Sequence, residues 1–215
     1  SHRHGFFHWE LEFPEAFFAS DGVRRPDSGF DAVIGNPPWD MVRADIRCEH
    51  DRPKSRHHAA ALVRFTRDAG IYSAQGDGQV NLYQLFLERA IDLTRHGGRL
   101  GLVLPSGFAT DHGSAPLRKR LLSRCDVDTM VGFDNHRGVF PIHRSVRFLL
   151  VTATVGSPTS SIACRLGTSD LSTLEAVASE PSSWFSVKIT PALLDRLSGS
   201  DLAIPWLRDS TDVAI

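Results

Sequence analysis

The sequence predicts an α/β protein that forms the second half of a doubly wound, mostly parallel sheet with a final antiparallel strand. Apolar segments with the length of buried strands occur at residues 30–34, 99–104, 128–133 and 146–155. Amphipathic segments at residues 80–95 and 114–123 predict helices that separate the first three strands. The last two strands follow each other without a helix between them, and so direct a connection predicts an antiparallel pair.

The first strand, at residues 30–34, is a continuous apolar run, which is typical of a parallel strand that is buried on both faces. It ends before Pro37 and Pro38, which have no N–H to donate to a neighbouring strand. A charged segment follows at residues 41–79, with a helix predicted near residues 56–69.

The two later helices have start and stop signals. In the helix predicted over residues 80–95, apolar side chains recur at helical spacing, and the segment His96-Gly97-Gly98 ends the pattern. The helix predicted over residues 114–123 has Ser114 as its N-cap residue and Pro116 in its first turn.

The composition is that of an ordinary globular protein, with 41% hydrophobic and 23% charged residues among 215. The net charge of −1 gives no overall signature of nucleic-acid binding, so any basic binding surface must be local. No apolar run approaches the roughly 20 residues that span a bilayer, so no membrane partner is expected. Cys48, Cys125 and Cys164 are too few and too far apart for a disulfide framework or a zinc site, and we expect a cytoplasmic protein without bound metal.

The most informative stretch is residues 30–39, an apolar strand that ends in Asn36-Pro37-Pro38-Trp39. The prolines force the backbone out of the sheet as a stiff turn, and the residue before a proline is itself kept extended. The turn therefore presents an amide oxygen, free backbone carbonyls and an aromatic face in one rigid unit. This set suits an exocyclic amine on a flat ring, because it offers acceptors for two hydrogens and a surface for stacking.

Asn-Pro-Pro-aromatic after an apolar strand resembles the catalytic motif of S-adenosylmethionine-dependent amino-methyltransferases, above all those that act on adenine N6 in DNA. Further segments in the same order are similar to the Eco57I-like restriction-modification methylases, namely residues 8–15, 76–77, 81–83, 97–105 and 138–141. The resemblance implies a Rossmann-like class I methyltransferase sheet, S-adenosylmethionine as the methyl donor and double-stranded DNA as the substrate. It also implies a place in a restriction-modification or phage-defence system.

The resemblance assigns roles to single residues. Asn36 and Pro37 would accept the two amine hydrogens and, with Pro38 and Trp39, form the catalytic turn. Trp39 and Phe140 would hold a flipped target base from its two sides. The candidate cofactor contacts are Gly35, Asn36 and Leu82. For Phe140 and Leu82 a packing role alone is the alternative.

Residues 43–67 are locally basic and follow the catalytic turn. They would therefore lie at the entrance of the cleft, where DNA phosphates pass. The candidate contacts to DNA phosphates are Arg43, Arg47, Lys54 and Arg56. The alternative is a solvated lid helix whose charges pair along its surface.

We expect residues 1–156 to be part of a methyltransferase catalytic domain and residues 157–215 to be a connector towards a target-recognition domain. The glycine-rich cofactor loop of the family does not occur ahead of the catalytic turn. We therefore expect a larger parent polypeptide that supplies the cofactor-binding segment and the recognition domain, and that is fused to or associated with a nuclease in some arrangements. The isolated chain is expected to bind cofactor poorly and to turn over negligibly.

Three alternatives stay open at this point. Protein-glutamine methyltransferases use the same turn, although they usually carry tyrosine where Trp39 stands. A non-catalytic DNA-binding or partner-binding module of a defence complex would retain the sheet without the reaction. Cytosine N4 would suit the same chemistry as adenine N6, and the order of the motifs favours adenine.

Overall fold

One mixed sheet of six strands organises the computed structural model, which describes residues 7–42, 52–75, 79–175, 184–207 and 210–213. For residues 52–58, 171, 173, 210 and 213 it describes the backbone only. The strands are β1 (Phe30–Gly35), β2 (Thr94–Pro105), β3 (Cys125–Asp134), β4 (Arg147–Val155), β5 (Ile162–Thr168) and β6 (Val187–Ile189). They lie in the order β1-β2-β4-β3-β5-β6.

Four of these strands, β1, β2, β3 and β5, run in one direction, and β4 and β6 run in the other. Strand β4 lies between β2 and β3 and is antiparallel to both. The predicted α/β sheet with a late antiparallel strand is therefore confirmed. The ends of the four co-directional strands meet at one edge of the sheet, which we call the carboxyl edge.

The helices are α1 (Trp9–Glu12), α2 (Pro14–Phe17), α3 (Arg52–Asp68), α4 (Leu82–Leu93), α5 (Gly107–Thr110), α6 (Ala115–Arg124) and α7 (Pro191–Ser198). Single turns of 3-10 helix occur at His112–Ser114, Asn135–Arg137, Leu171–Leu174, Gly199–Asp201 and Ser210–Val213. None of the helices in the described part of the chain is long and apolar enough to cross a membrane.

Helix α4 ends earlier than the sequence predicts. The hydroxyl of Thr94, the first residue of β2, donates to the carbonyl oxygen of Ala90 at 2.7 Å and closes the last turn. Gly97, with a φ of +75°, lies inside β2, where the register against β1 is interrupted. The prediction that the glycine pair ends the helix was thus wrong. Glycine is favoured both in a β-bulge and at a helix C-terminus, because each can require a residue with positive φ.

Ser114 precedes α6 as predicted, but its hydroxyl does not cap the helix. It shares a hydrogen bond with the Tyr83 hydroxyl at 2.9 Å and accepts another from the Gln84 amide at 2.9 Å. The side chain therefore ties α6 to α4, which the local sequence pattern does not reveal.

The main core lies between one face of the sheet and helices α4, α6 and α7. Alternate residues of β2 and β4 point into it, namely Leu100, Leu102, Leu104, Leu149, Val151 and Ala153. The helices contribute Leu87, Ile91, Leu117, Leu121 and Leu194. A smaller cluster of Val131, Phe133, Phe148 and Trp184 lies on the opposite face.

Strand β1 lies at the edge of the sheet, and the prediction that it is buried on both faces is wrong for this chain. None of its residues is fully buried, and Ile34 is 84% exposed. The physical reason is that its side chains, those of Phe30, Ala32, Val33 and Ile34, line an open apolar cavity instead of a closely packed layer.

The segment after residue 156 adds β5 and β6 to the same sheet, with β5 parallel to β3. The sequence analysis did not predict these strands. The domain boundary at residue 156 and the connector role of residues 157–215 stay predictions.

Candidate active site

The turn that follows β1 is anchored to the start of α4. The Leu82 N–H donates to the Asp40 carbonyl at 3.0 Å, and the Val42 N–H donates to the Val80 carbonyl at 2.9 Å. Asn81 begins α4 by accepting a hydrogen bond from the Tyr83 N–H at 3.4 Å. These bonds hold the predicted catalytic turn, residues 36–39, at the carboxyl edge of the sheet beside the first turn of α4.

Two hydrogen-bond acceptors of the turn have no partner among the described residues. The Asn36 side chain is exposed and makes no hydrogen bond to another described residue, and the Pro37 carbonyl accepts none either. Because the Asn36 side chain is exposed, its amide is accessible to a ligand. The two acceptors belong to adjacent residues.

Four aromatic rings gather beside the turn, and we call Trp39, Phe133, Phe140 and Phe148 the aromatic cluster. Phe148 is fully buried at its centre, with its ring centroid 6.5 Å from Trp39, 4.8 Å from Phe140 and 5.1 Å from Phe133. The structure thus brings the two predicted base-holding residues to the same phenylalanine, although they lie 101 positions apart in the chain.

The rims of this cluster are open. Phe140 is 36% exposed and Trp39 is half-buried, while the indole N–H of Trp39 is shielded and makes no hydrogen bond to any described residue. Sequence analysis did not identify Phe148, because an aromatic residue at the start of an apolar strand is indistinguishable from ordinary core.

Asn135 fixes the loop that carries Phe140, and sequence analysis also missed it. Its fully buried amide accepts a hydrogen bond from the Phe140 N–H at 2.9 Å. Its nitrogen donates to the carbonyls of Phe140 and Ile142 at 3.2 Å each and of His143 at 3.3 Å. The available signal was an asparagine two positions after a predicted strand, at the edge where sites of parallel sheets occur.

An apolar cavity of about 560 Å³ lies between β1 and α4. Pro38 and Leu82 line it together with Phe86, whereas Gly35 and Asn36 do not. The lining fits a flat adenine ring, since apolar and aromatic walls with few polar groups are typical of such sites. It offers no carboxylate for ribose hydroxyls among the described residues, so it fits one part of S-adenosylmethionine.

The predicted phosphate contacts fall largely outside the described residues. Arg43 and Arg47 lie in an undescribed segment, and Lys54 and Arg56 are described only as backbone of α3. Described basic residues near the site include Arg137 and Arg144 in the loop between β3 and β4, and Arg147 at the start of β4, all of them exposed.

The two described cysteines are not suited to nucleophilic chemistry. Burial raises the pKa of Cys125 and of Cys164 to about 12, so both thiols stay protonated near neutral pH and are poor nucleophiles. Among the residues that the structure describes, no three His, Cys, Asp or Glu side chains come together as metal ligands.

The family model described as Eco57I restriction-modification methylase matches residues 1–140, which is more than half of the chain. The chain belongs to this family. The type II restriction enzyme and methyltransferase RM.Eco57I of Escherichia coli is 29% identical over 108 residues, covering 50% of this chain and 10% of that protein. The chain spans about a tenth of the length of the curated relatives that it matches.

Solved structures of restriction-modification proteins share the fold. The methyltransferase subunit of a type I system from Streptococcus thermophilus matches with a TM-score of 0.55 at 16% identity, covering 89% of this chain and 40% of that one. The type IIG restriction endonuclease BpuSI matches with a TM-score of 0.52 at 17% identity, covering 82% and 20%. This chain therefore has the α/β fold found in these restriction-modification proteins.

Proposed function

We propose that the protein containing this chain transfers a methyl group from S-adenosylmethionine to the exocyclic N6 amine of adenine in duplex DNA. The system it serves is one of restriction-modification or phage defence. The observation that carries this proposal is the pair of free acceptors, the Asn36 amide oxygen and the Pro37 carbonyl, beside the aromatic cluster. Membership of the methylase family supports it.

The chain's own residues address a specific difficulty of this reaction. The N6 lone pair of adenine is delocalised into the ring, so the amine is a poor nucleophile. Hydrogen bonds from its two N–H groups to Asn36 and Pro37 favour a pyramidal nitrogen with a localised lone pair, which is preorganisation combined with orientation. S-adenosylmethionine, when bound, supplies an electrophilic methyl group on a sulfonium sulfur. No strong general base is required, because the methylated nitrogen is cationic and loses a proton readily.

The aromatic cluster holds the base outside the helix. Stacking on an aromatic side chain is worth about 1–3 kcal/mol per base, and flipping a base from a duplex costs a few kcal/mol. Trp39 on one side and Phe140 on the other therefore offset most of the cost of flipping.

Pro38, Leu82 and Phe86 would hold the adenine ring of the cofactor in the apolar cavity. Its ribose and amino-acid ends would contact the rest of the parent polypeptide, which would also supply target recognition.

The test uses the parent protein with labelled S-adenosylmethionine and duplex DNA, comparing wild type with Asn36→Ala. Removal of one preorganised polar group of this kind lowers kcat by about 100- to 1,000-fold, with a smaller effect on KM for DNA. Gln79→Ala is the matched control, since it removes an exposed amide just outside the turn. Wild-type activity in Asn36→Ala would refute the mechanism, and a folded wild-type protein that labels protein instead of DNA would favour a protein amide as substrate.

A further inference from the structure

A second cavity, polar and about 420 Å³ in volume, lies beside the loop that carries Phe140. Arg137 and Thr168 line it, the first at the end of the 3-10 turn after β3 and the second at the end of β5. Phe133 and Thr168 are register partners in the parallel pair of β3 and β5. The cavity therefore lies at the carboxyl edge of the sheet, as does the catalytic turn.

Two guanidinium groups give this cavity its charge. Arg165 is fixed, because its Nη1 donates to the Trp184 carbonyl at 2.7 Å and its guanidinium carbon lies 4.8 Å from the centre of a Trp184 ring. Arg137 is exposed and makes no hydrogen bond to another described residue. The Asp170 carboxylate also lines the cavity, so one net positive charge remains.

Of the remaining polar groups, the Asp170 carboxylate opposes an anion and the Thr168 hydroxyl favours one. Asp170 accepts a hydrogen bond from the Ser172 N–H at 2.9 Å. That bond and, to a smaller extent, the charge of Arg137 hold the pKa of Asp170 below its ordinary value. The buried hydroxyl oxygen of Thr168 makes no hydrogen bond to any described residue, so it has a proton to donate to a ligand oxygen.

The distance from the cavity to the site proposed for the target base can be spanned by a few nucleotides of one DNA strand. Phe148, at the centre of the aromatic cluster, is on β4, and Thr168 is on β5, two strands away in the sheet. Two strand spacings amount to about 10 Å, which is about three base steps along a DNA strand. A nucleotide close to the target base therefore reaches the cavity.

We propose that this cavity binds one backbone phosphodiester of the DNA strand that carries the target base, an inference that rests on the function proposed above. Arg137 and Arg165 donate to the phosphate oxygens, and the single negative charge of the phosphodiester matches the net positive charge of the cavity. The contact fixes the register of the strand and so places the target nucleotide between Trp39 and Phe140.

The first test measures DNA binding by the parent protein at salt concentrations from about 50 to about 200 mM. Arg137→Gln is expected to reduce the slope of log affinity against log salt by about 1, as for the loss of one phosphate contact. Arg124→Gln is the matched control, because Arg124 is exposed at the opposite edge of the sheet, where β3 begins. Arg165→Gln should reduce the salt slope by the same amount. If Arg165→Gln fails to fold because it loses its contact with Trp184, Arg137→Gln still provides the test.

The second test locates the phosphate. Single uncharged methylphosphonates are placed at successive positions around the target adenine in the duplex. At one position the methylphosphonate should weaken DNA binding to the wild-type protein. At the same position it should not weaken DNA binding to Arg137→Gln any further.

An unchanged salt slope in Arg137→Gln, or methylphosphonate effects that add to the substitution at every position, would overturn the cavity as a phosphate site. The proposed function would still stand if Asn36-dependent methylation of DNA persists. Absence of any methylation by wild type would overturn the proposed function itself.

Discussion

Replacement of Asn135 by alanine tests how Phe140, the ring proposed to hold the target base, is positioned. The Asn135 amide is fully buried and makes four contacts with the loop backbone at 2.9–3.3 Å. An amide has two N–H hydrogens, so its three carbonyl contacts share two donors, and the side chain makes about three full hydrogen bonds. At about 1 kcal/mol for each bond, the loop loses about 3 kcal/mol of stability.

That loss makes the ordered loop less populated by up to about 100-fold, since 1.4 kcal/mol corresponds to a factor of ten. Because Phe140 then stacks on the flipped base for a small fraction of the time, we expect KM for DNA to rise by a comparable factor. Affinity for S-adenosylmethionine should not change, because Asn135 does not line the apolar cavity.

The assay is steady-state methylation by the parent protein, together with fluorescence of 2-aminopurine at the target position, which reports unstacking of the base. Phe140→Ala and the double variant complete a mutant cycle. If Asn135 acts through Phe140, the double variant is no worse than Phe140→Ala alone. Additive losses would refute the positioning role and leave Asn135 as a general stabilising residue.

Three further predictions follow from the packing. Trp39→Phe should retain more methylation activity than Trp39→Ala, because the indole N–H makes no hydrogen bond to a described residue. Phenylalanine keeps the stacking on the base, worth about 1–3 kcal/mol, and alanine loses it. Equal losses of kcat/KM in the two variants would contradict this. Gly132→Ala should destabilise the protein by about 1–3 kcal/mol in urea unfolding, because the new Cβ would lie 2.6 Å from the Trp206 ring. Gly113→Ala is the control, since a Cβ at that position meets nothing within 4 Å. With a pKa of about 12, the Cys164 thiol should stay unmodified by iodoacetamide at about pH 8 in the folded protein, and rapid labelling in peptide mass maps would show the burial to be wrong.

The parts of the fold that the sequence predicted are those with a strong local signal. Continuous apolar runs located β1, β2, β3 and β4 to within a few residues, apart from the irregular start of β2, because each run has the length and period of a buried strand. The proline pair located the end of β1, since proline cannot continue a ladder. Strands β5 and β6 were missed because the Ser- and Thr-rich segment that contains them has little apolar contrast.

The parts of the site that the sequence did not predict depend on contacts between distant segments. Asn135 matters because its amide meets a loop five to eight positions later, and Phe148 matters because Trp39 packs against it across the sheet. The edge position of β1 is equally non-local, since an apolar strand has the same sequence whether it has one neighbour or two.

Identification of the methylated nucleoside tests the central claim most directly. The parent protein is incubated with labelled S-adenosylmethionine and duplex DNA, the DNA is digested to nucleosides, and the product is analysed by mass spectrometry. The account predicts label in N6-methyladenine in wild type and its loss in Asn36→Ala. Label in N4-methylcytosine, or none in DNA while the protein is folded and cofactor is bound, would contradict it.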